Sequence, residues 1–178
     1  MIRITGGEDR SRLLEVPNTG LTKPTMDMVR LAVFSALGYD IQDKEVLDLF
    51  AGSGSYGFES LSRGAKHATF VERNGDAVAV IKRNARMLKR EEQSTIVNEL
   101  TEIFINEYAS KYDIVFIDPP YVFDKYNELV KTLISREIIK DNGIIVLESD
   151  RELDIDTEMF KDVRTYVHGL ARTYILRK

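Results

Sequence analysis

From Glu45 onward, short apolar runs alternate with stretches of helical periodicity, and this alternation restricts the chain to strand-helix-strand units in a mostly parallel sheet. The runs are EVLDLF (45–50), HATFVE (67–72), STIVN (94–98), DIVFID (113–118) and GIIVLES (143–149). Each leads through a turn or polar stretch into helical patterning, as over 76–90, where Val78, Ile81, Ala85 and Leu88 recur at helical spacing. The end breaks this rhythm. DVRTYVH and ARTYILRK are separated by little more than Gly169-Leu170, too close for a helical crossover, so these two strands must pair as an antiparallel hairpin. The reading is an α/β fold with a seven-stranded, mostly parallel sheet.

Two short extended pieces, Ile2 to Thr5 and Leu13 to Val16, precede this region around a Gly6-Gly7 turn. A helix is expected from Met26 to Leu37, with Thr25 as its N-cap after Pro24 and Val29, Ala32, Val33 and Leu37 on its apolar face. The expected division is an N-terminal extension of hairpin plus helix (1–38) and a main domain (39–178). The hairpin fits either an edge decoration or a substrate-binding arm.

Absence of cysteine excludes disulfide frameworks, thiolate zinc sites and cysteine nucleophiles together. With only His67 and His168, a serine–histidine triad or a multi-histidine site has little to draw on, and no metal is expected. The opening MIRITGGEDRSR has no signal-like apolar stretch, and no eighteen apolar residues run together, so a cytoplasmic protein without membrane association is expected. The net charge of −4 argues against non-specific coating of nucleic acid, but the charge is uneven. Arg63 to Arg90 carries eight basic against two acidic residues, whereas Glu91 to Glu128 carries two against nine. The basic face Lys82, Arg83, Arg86, Lys89 and Arg90 reads first as a solvated helix surface and second as a phosphate-contacting edge.

Gly52, Gly54 and Gly57 satisfy G-x-G-x-x-G between a strand and a helix, and Glu72 ends the next strand twenty residues after Gly52. That context is a nucleotide-type cofactor pocket: the glycines allow close backbone approach, and a distal carboxylate can accept both hydrogen bonds of a ribose diol. NAD and S-adenosylmethionine both suit such a loop. Asp48, just upstream, adds a carboxylate where a dinucleotide fingerprint has apolar strand residues, and so tilts the choice toward a cationic ligand.

The fourth run ends in Asp118-Pro119-Pro120-Tyr121. The prolines stiffen the turn, so the Asp118 side chain and the Pro119 carbonyl are held at the carboxyl end of a strand, where ligands bind in open α/β sheets. An exocyclic amine of a nucleobase is a poor nucleophile because its lone pair is delocalised into the ring. Two acceptors aimed at its hydrogens favour the pyramidal form and stabilise the positive charge that grows on nitrogen, at about 3 kcal/mol each. Tyr121 can stack on a base turned out of its helix, a contact worth ~1–3 kcal/mol.

DLFAGSGSYGFESLSRGA (48–65), VERN (71–74) and FIDPPY (116–121) resemble the class I S-adenosylmethionine-dependent methyltransferases that modify exocyclic amines. RITGG (3–7) and KPTMDMVRLAVF (23–34) narrow the resemblance to the bacterial RsmD family, which methylates the N2 amine of one guanine in 16S ribosomal RNA. The resemblance implies a Rossmann-like sheet of order 3-2-1-4-5-7-6. It also implies an S-adenosylmethionine pocket of Asp48, Phe50, Ala51, Gly52, Ser53, Gly54, Glu72, Arg73, Asn98 and Glu99. It implies a catalytic turn of Asp118, Pro119, Pro120 and Tyr121, and RNA contacts from Arg12, Lys23, Pro24, Thr25, Asp27 and Arg30. Three positions depart from the family pattern: Lys23 replaces an arginine, Ser11-Arg12 replaces Gly-Arg, and Asn98-Glu99 replaces an aspartate. The implied partner is 16S rRNA, the small ribosomal subunit or its assembly intermediate, and a monomer is expected. Because the turn recognises an amine and not one purine, an adenine-N6 methyltransferase acting on DNA or RNA is the alternative. An NAD-dependent dehydrogenase and a non-catalytic RNA-binding protein are the further rivals.

Overall fold

The computed structural model of the protein describes residues 1–18 and 27–178. The chain opens with a small antiparallel pair, β1 (Ile2–Arg3) and β2 (Leu13–Leu14), followed by α1 (Asp27–Leu37). The expected N-cap Thr25 lies outside the described residues. Alternation then begins: β3 (Glu45–Leu49), α2 (Ser55–Ser62), β4 (His67–Val71), α3 (Gly75–Leu88), β5 (Ser94–Val97), α4 (Thr101–Glu107), β6 (Tyr112–Ile117), α5 (Tyr126–Ser135) and β7 (Ile139–Ser149). The hairpin of β8 (Asp162–His168) and β9 (Ala171–Arg177) completes it. The sheet runs β5-β4-β3-β6-β7-β9-β8, which is the expected 3-2-1-4-5-7-6 when strands are counted from β3. Only β9 is antiparallel to its neighbours β7 and β8, as the short Gly169-Leu170 connection requires.

Strand alternation builds two cores. Val46, Phe70, Ile114, Phe116, Val146 and Ile175 pack with α1, α2 and α3, while Leu47, Leu49, Val115, Ile117, Leu147 and Leu176 pack with α4 and α5. Both faces are covered, which is why the central runs are apolar throughout. Ile4 and Leu14 from the N-terminal pair join the first core, so the extension shares the interior of the main domain.

Of the boundaries that differ from the sequence reading, two have a clear local cause. Strand β7 begins at Ile139 and not at Gly143, because Ile139 pairs with Tyr112 ahead of a register shift in which Asn142 takes a positive φ of 61°. Helix α3 stops at Leu88, since Lys89 adopts φ 59° and its N–H turns back to the Arg86 carbonyl. Its start is capped by Asn74, whose Oδ1 accepts from the N–H groups of Asp76 and Ala77.

The RITGG segment is held by a buried carboxylate. Glu59 on α2 is fully buried and accepts from Thr5 N–H (2.8 Å), Thr5 Oγ1 (2.7 Å), Gly6 N–H (2.9 Å) and Arg63 Nε (2.8 Å). Ser62 Oγ adds bonds to Gly6 O and from Asp9 N–H. The basic face of α3 is largely paired: Arg83 with Glu15, Arg86 with Glu91, and Arg90 with Glu8 and Asp9.

Candidate active site

The carboxyl ends of β3, β4, β5 and β6 bring the sequence-predicted ligand residues to one edge. After β3 the chain turns sharply, with φ 59° at Phe50, 56° at Gly52 and 78° at Gly54, before α2 begins at Ser55. A β-carbon on Gly54 would lie 2.7 Å from the Phe58 ring, and one on Gly57 would lie 2.1 Å from the Phe70 ring. The third glycine of the motif thus lets α2 pack directly on β4. Ala51 N–H donates to Val71 O (3.1 Å), tying the loop to the neighbouring strand.

Asp48 is 2% exposed, and its Oδ2 accepts from Gly57 N–H (2.9 Å) in the first turn of α2. One oxygen therefore caps a helix N-terminus. Burial pushes the Asp48 carboxyl well above the ordinary range, and the like charges of Asp118 and Glu72 raise it further, against the lowering effect of the Gly57 bond. Three carboxylates from three strand ends thus converge where a cation would relieve their repulsion. The folded protein holds this proton more tightly than the unfolded chain, so stability falls as pH rises above the unfolded aspartate value. Asp48→Asn is expected to flatten that decline and raise the melting temperature near neutral pH, by about 2–4 °C for each 1 kcal/mol relieved. Thermal melts at acidic and neutral pH check this; a lower neutral-pH melting temperature in the variant would contradict it.

Glu72 is half-buried and oriented by two backbone donors: Gly52 N–H to Oε2 (2.9 Å) and Asn74 N–H to Oε1 (2.8 Å). Each oxygen keeps a second lone pair for a hydroxyl. Asn98 Nδ2 donates to the carbonyls of Glu72 (2.9 Å) and Arg73 (3.0 Å), and Glu99 accepts from Leu100 N–H (2.8 Å). Beside them lies a cavity of about 480 Å³ lined by Arg73, Asn74, Asn98, Glu99 and Leu100. Sequence reasoning missed Asn84. Fully buried on α3, it donates to Ser53 O and Glu15 O and accepts from Glu15 N–H, bracing the glycine loop against the N-terminal arm. It lies on the buried face of α3 with Ile81, Ala85 and Leu88, opposite the basic residues.

The second half of the site adjoins the first. Leu49 pairs with Ile117, so Asp118 follows β6 level with Phe50 after β3. Asp118 is half-buried, Pro119 buried, and Tyr121 53% exposed. Phe123 N–H donates to Pro120 O (2.9 Å), a turn that occupies the Pro120 carbonyl and not that of Pro119. The Phe123 ring, also missed, meets Phe50 edge-on at 5.2 Å and Tyr126 at 5.0 Å, linking the two loops.

The proposed RNA contacts are less uniform. Lys23, Pro24 and Thr25 lie outside the described residues. Asp27 is half-exposed and accepts from Arg30 Nη2 (2.7 Å). Arg30 is fully buried and also donates to the Arg3 carbonyl, an internal tie between α1 and β1. Arg12, part-exposed, bonds Asp9 and the Met87 carbonyl. Among the described residues, no helix is long and apolar enough to cross a membrane.

A parallel sheet that closes with a reversed hairpin, and opens its ligand edge at the other side, is the architecture of a Rossmann-like class I methyltransferase. The Escherichia coli structure "Putative methyltransferase yhhF" matches with a TM-score of 0.88, 32% identical and covering 99% of this chain and 97% of its own. The Thermus thermophilus 16S rRNA N2 methyltransferase RsmC, solved with AdoMet and guanosine, has a TM-score of 0.70 over 92% of this chain and 45% of its own; at 19% identity this is a likeness of fold alone. Residues 2–176 match the family model described as conserved hypothetical protein 95. Ribosomal RNA small subunit methyltransferase D of Haemophilus influenzae is 35% identical over 159 residues, 88% of this chain and 82% of its own. The chain belongs to this family, the RsmD family.

Proposed function

We propose that the protein methylates the N2 amine of a guanine in 16S ribosomal RNA with S-adenosylmethionine as donor. The observation that carries this reading is the adjacency of the glycine loop and the Asp118 turn on neighbouring parallel strands, with Asp48 and Asp118 close enough to perturb each other's charge. The residues fit the donor: a converging set of carboxylates suits a cationic ligand, and Glu72 keeps acceptor capacity for a ribose. When bound, S-adenosylmethionine supplies a methyl group activated by a sulfonium. The protein's own part is alignment and charge. The Asp118 carboxylate and the Pro119 carbonyl accept the two amine hydrogens and stabilise positive charge on nitrogen. Tyr121, half-exposed at the same turn, offers a face for the extruded base. Holding two reactants in line supplies roughly 7–11 kcal/mol of a barrier. No histidine lies among the site residues, so the amine proton leaves to solvent. Kinship with rRNA small subunit methyltransferase D supports a small-subunit rRNA substrate, and the choice of guanine over adenine follows the resemblance of RITGG and KPTMDMVRLAVF to the RsmD family.

Incubating the protein with methyl-labelled S-adenosylmethionine and 16S rRNA or small subunits, then digesting to nucleosides, is expected to give labelled N2-methylguanosine. Label in N6-methyladenosine alone would overturn the choice of base. Calorimetric binding of NADH without S-adenosylhomocysteine would overturn the cofactor.

A further inference from the structure

The turn that would receive the base is braced from outside by one arginine. Between Pro119 and the start of α5 at Tyr126, the Phe123 N–H donates to Pro120 O, and the exposed residues Tyr121 and Val122 lie within this turn. Arg151, two residues past β7, reaches across: Nη1 donates to Tyr121 O (3.4 Å) and Nη2 donates to Phe123 O. The two carbonyls flank Val122, and one planar guanidinium spans both. The anchor is itself held. Arg151 N–H donates to Ser149 Oγ (3.1 Å), Leu153 N–H donates to Tyr174 OH (2.9 Å), and Asn127 Nδ2 donates to Asp154 O (2.6 Å). On the far side the Phe123 ring rests against Phe50 of the glycine loop. Arginine therefore fixes the outer side of the turn while an aromatic contact fixes the inner side.

We propose that Arg151 is a positioning residue for methyl transfer: by clamping the Tyr121 and Phe123 carbonyls it holds the Asp118–Tyr121 turn in register with the glycine loop. The inference rests on the reading that this turn receives the target base. Its chemistry requires arginine, because a lysine ammonium has no planar fork to bridge two carbonyls at once. A short loop released from such a clamp samples many arrangements, and misplacement by about 1 Å costs on the order of 100-fold in rate.

The test compares the unchanged full chain with Arg151→Ala and Arg151→Lys. Arg151→Ala is expected to lower kcat on 16S rRNA by about 100-fold, with KM and S-adenosylhomocysteine affinity changed less than about twofold. Arg151→Lys should recover only part of the loss. Hydrogen exchange at the amides of residues 121–124 should quicken in Arg151→Ala while the β3–α2 amides stay unchanged. An unaltered kcat with raised KM and a salt slope lower by about one would instead mark a phosphate contact and overturn the positioning role. If the unchanged protein transfers no methyl to RNA, the functional reading fails, and the exchange measurement alone decides the clamp: equal exchange in all three proteins overturns it.

Discussion

Replacing Asp118 by alanine is expected to reduce methyl transfer to RNA by about 10²–10³-fold, or roughly 3–4 kcal/mol, the loss that follows when one preorganised partner of a developing charge is removed. The side chain follows a buried strand directly and precedes two prolines, which restrict its backbone. Removing it leaves the glycine loop and its contacts with Glu72 in place. Affinity for S-adenosylhomocysteine should therefore change by less than about tenfold, a far smaller effect than the predicted rate loss. Asp118→Asn retains one acceptor oxygen and should lose less than the alanine variant. Single-turnover kinetics and calorimetry on the same preparations separate the two quantities. An alanine variant with an unchanged rate would remove the amine-activating role.

Glu59→Ala is expected to lower stability by about 3–5 kcal/mol, because it strips the acceptor from a buried, hydrogen-bonded charge pair and leaves its partners unsatisfied. Thr5 N–H, Thr5 Oγ1 and Gly6 N–H would all lose their bonds, and Arg63 would lose its carboxylate. For a domain of this length the melting temperature should fall on the order of 10 °C. Glu59→Gln keeps the volume and one acceptor and should fall less. Thermal and urea unfolding measure both variants; a change below about 1 kcal/mol would show that the RITGG segment is held by apolar packing of Ile4 and Leu14 instead. The expected loss is large against a total stability of roughly 5–15 kcal/mol.

Much of the architecture was readable from local pattern. The five parallel strands and the terminal hairpin follow from apolar runs and the distances between them, since a two-residue gap cannot carry a crossover. Register shifts were not readable: Asp141-Asn142-Gly143 resembles a turn, but Ile139 pairs with Tyr112 before it. At the site, Gly52, Gly54, Glu72 and Asp118 were legible because each is tied to a fixed place at a strand end. The burial of Arg30 was not readable, because only the packing of α1 carries it inward to the Arg3 carbonyl. Glu59 and Arg63 share an i,i+4 spacing that resembles an exposed helix pair, and only the N-terminal hairpin laid over them makes the carboxylate buried.

The amino-acid sequence by itself determined the strand order's raw material, the sharp turn after β3 and the stiff turn after β6, because periodicity, glycine and proline act within a few residues. The tertiary structure alone decided which polar groups became buried, that burial beside Asp118 and Glu72 raises the Asp48 carboxyl above its ordinary range, and that Asn84, Phe123 and Arg151 brace the two loops. Burial and the proximity of like charges arise from residues distant in the chain, and no local pattern encodes the distances between them.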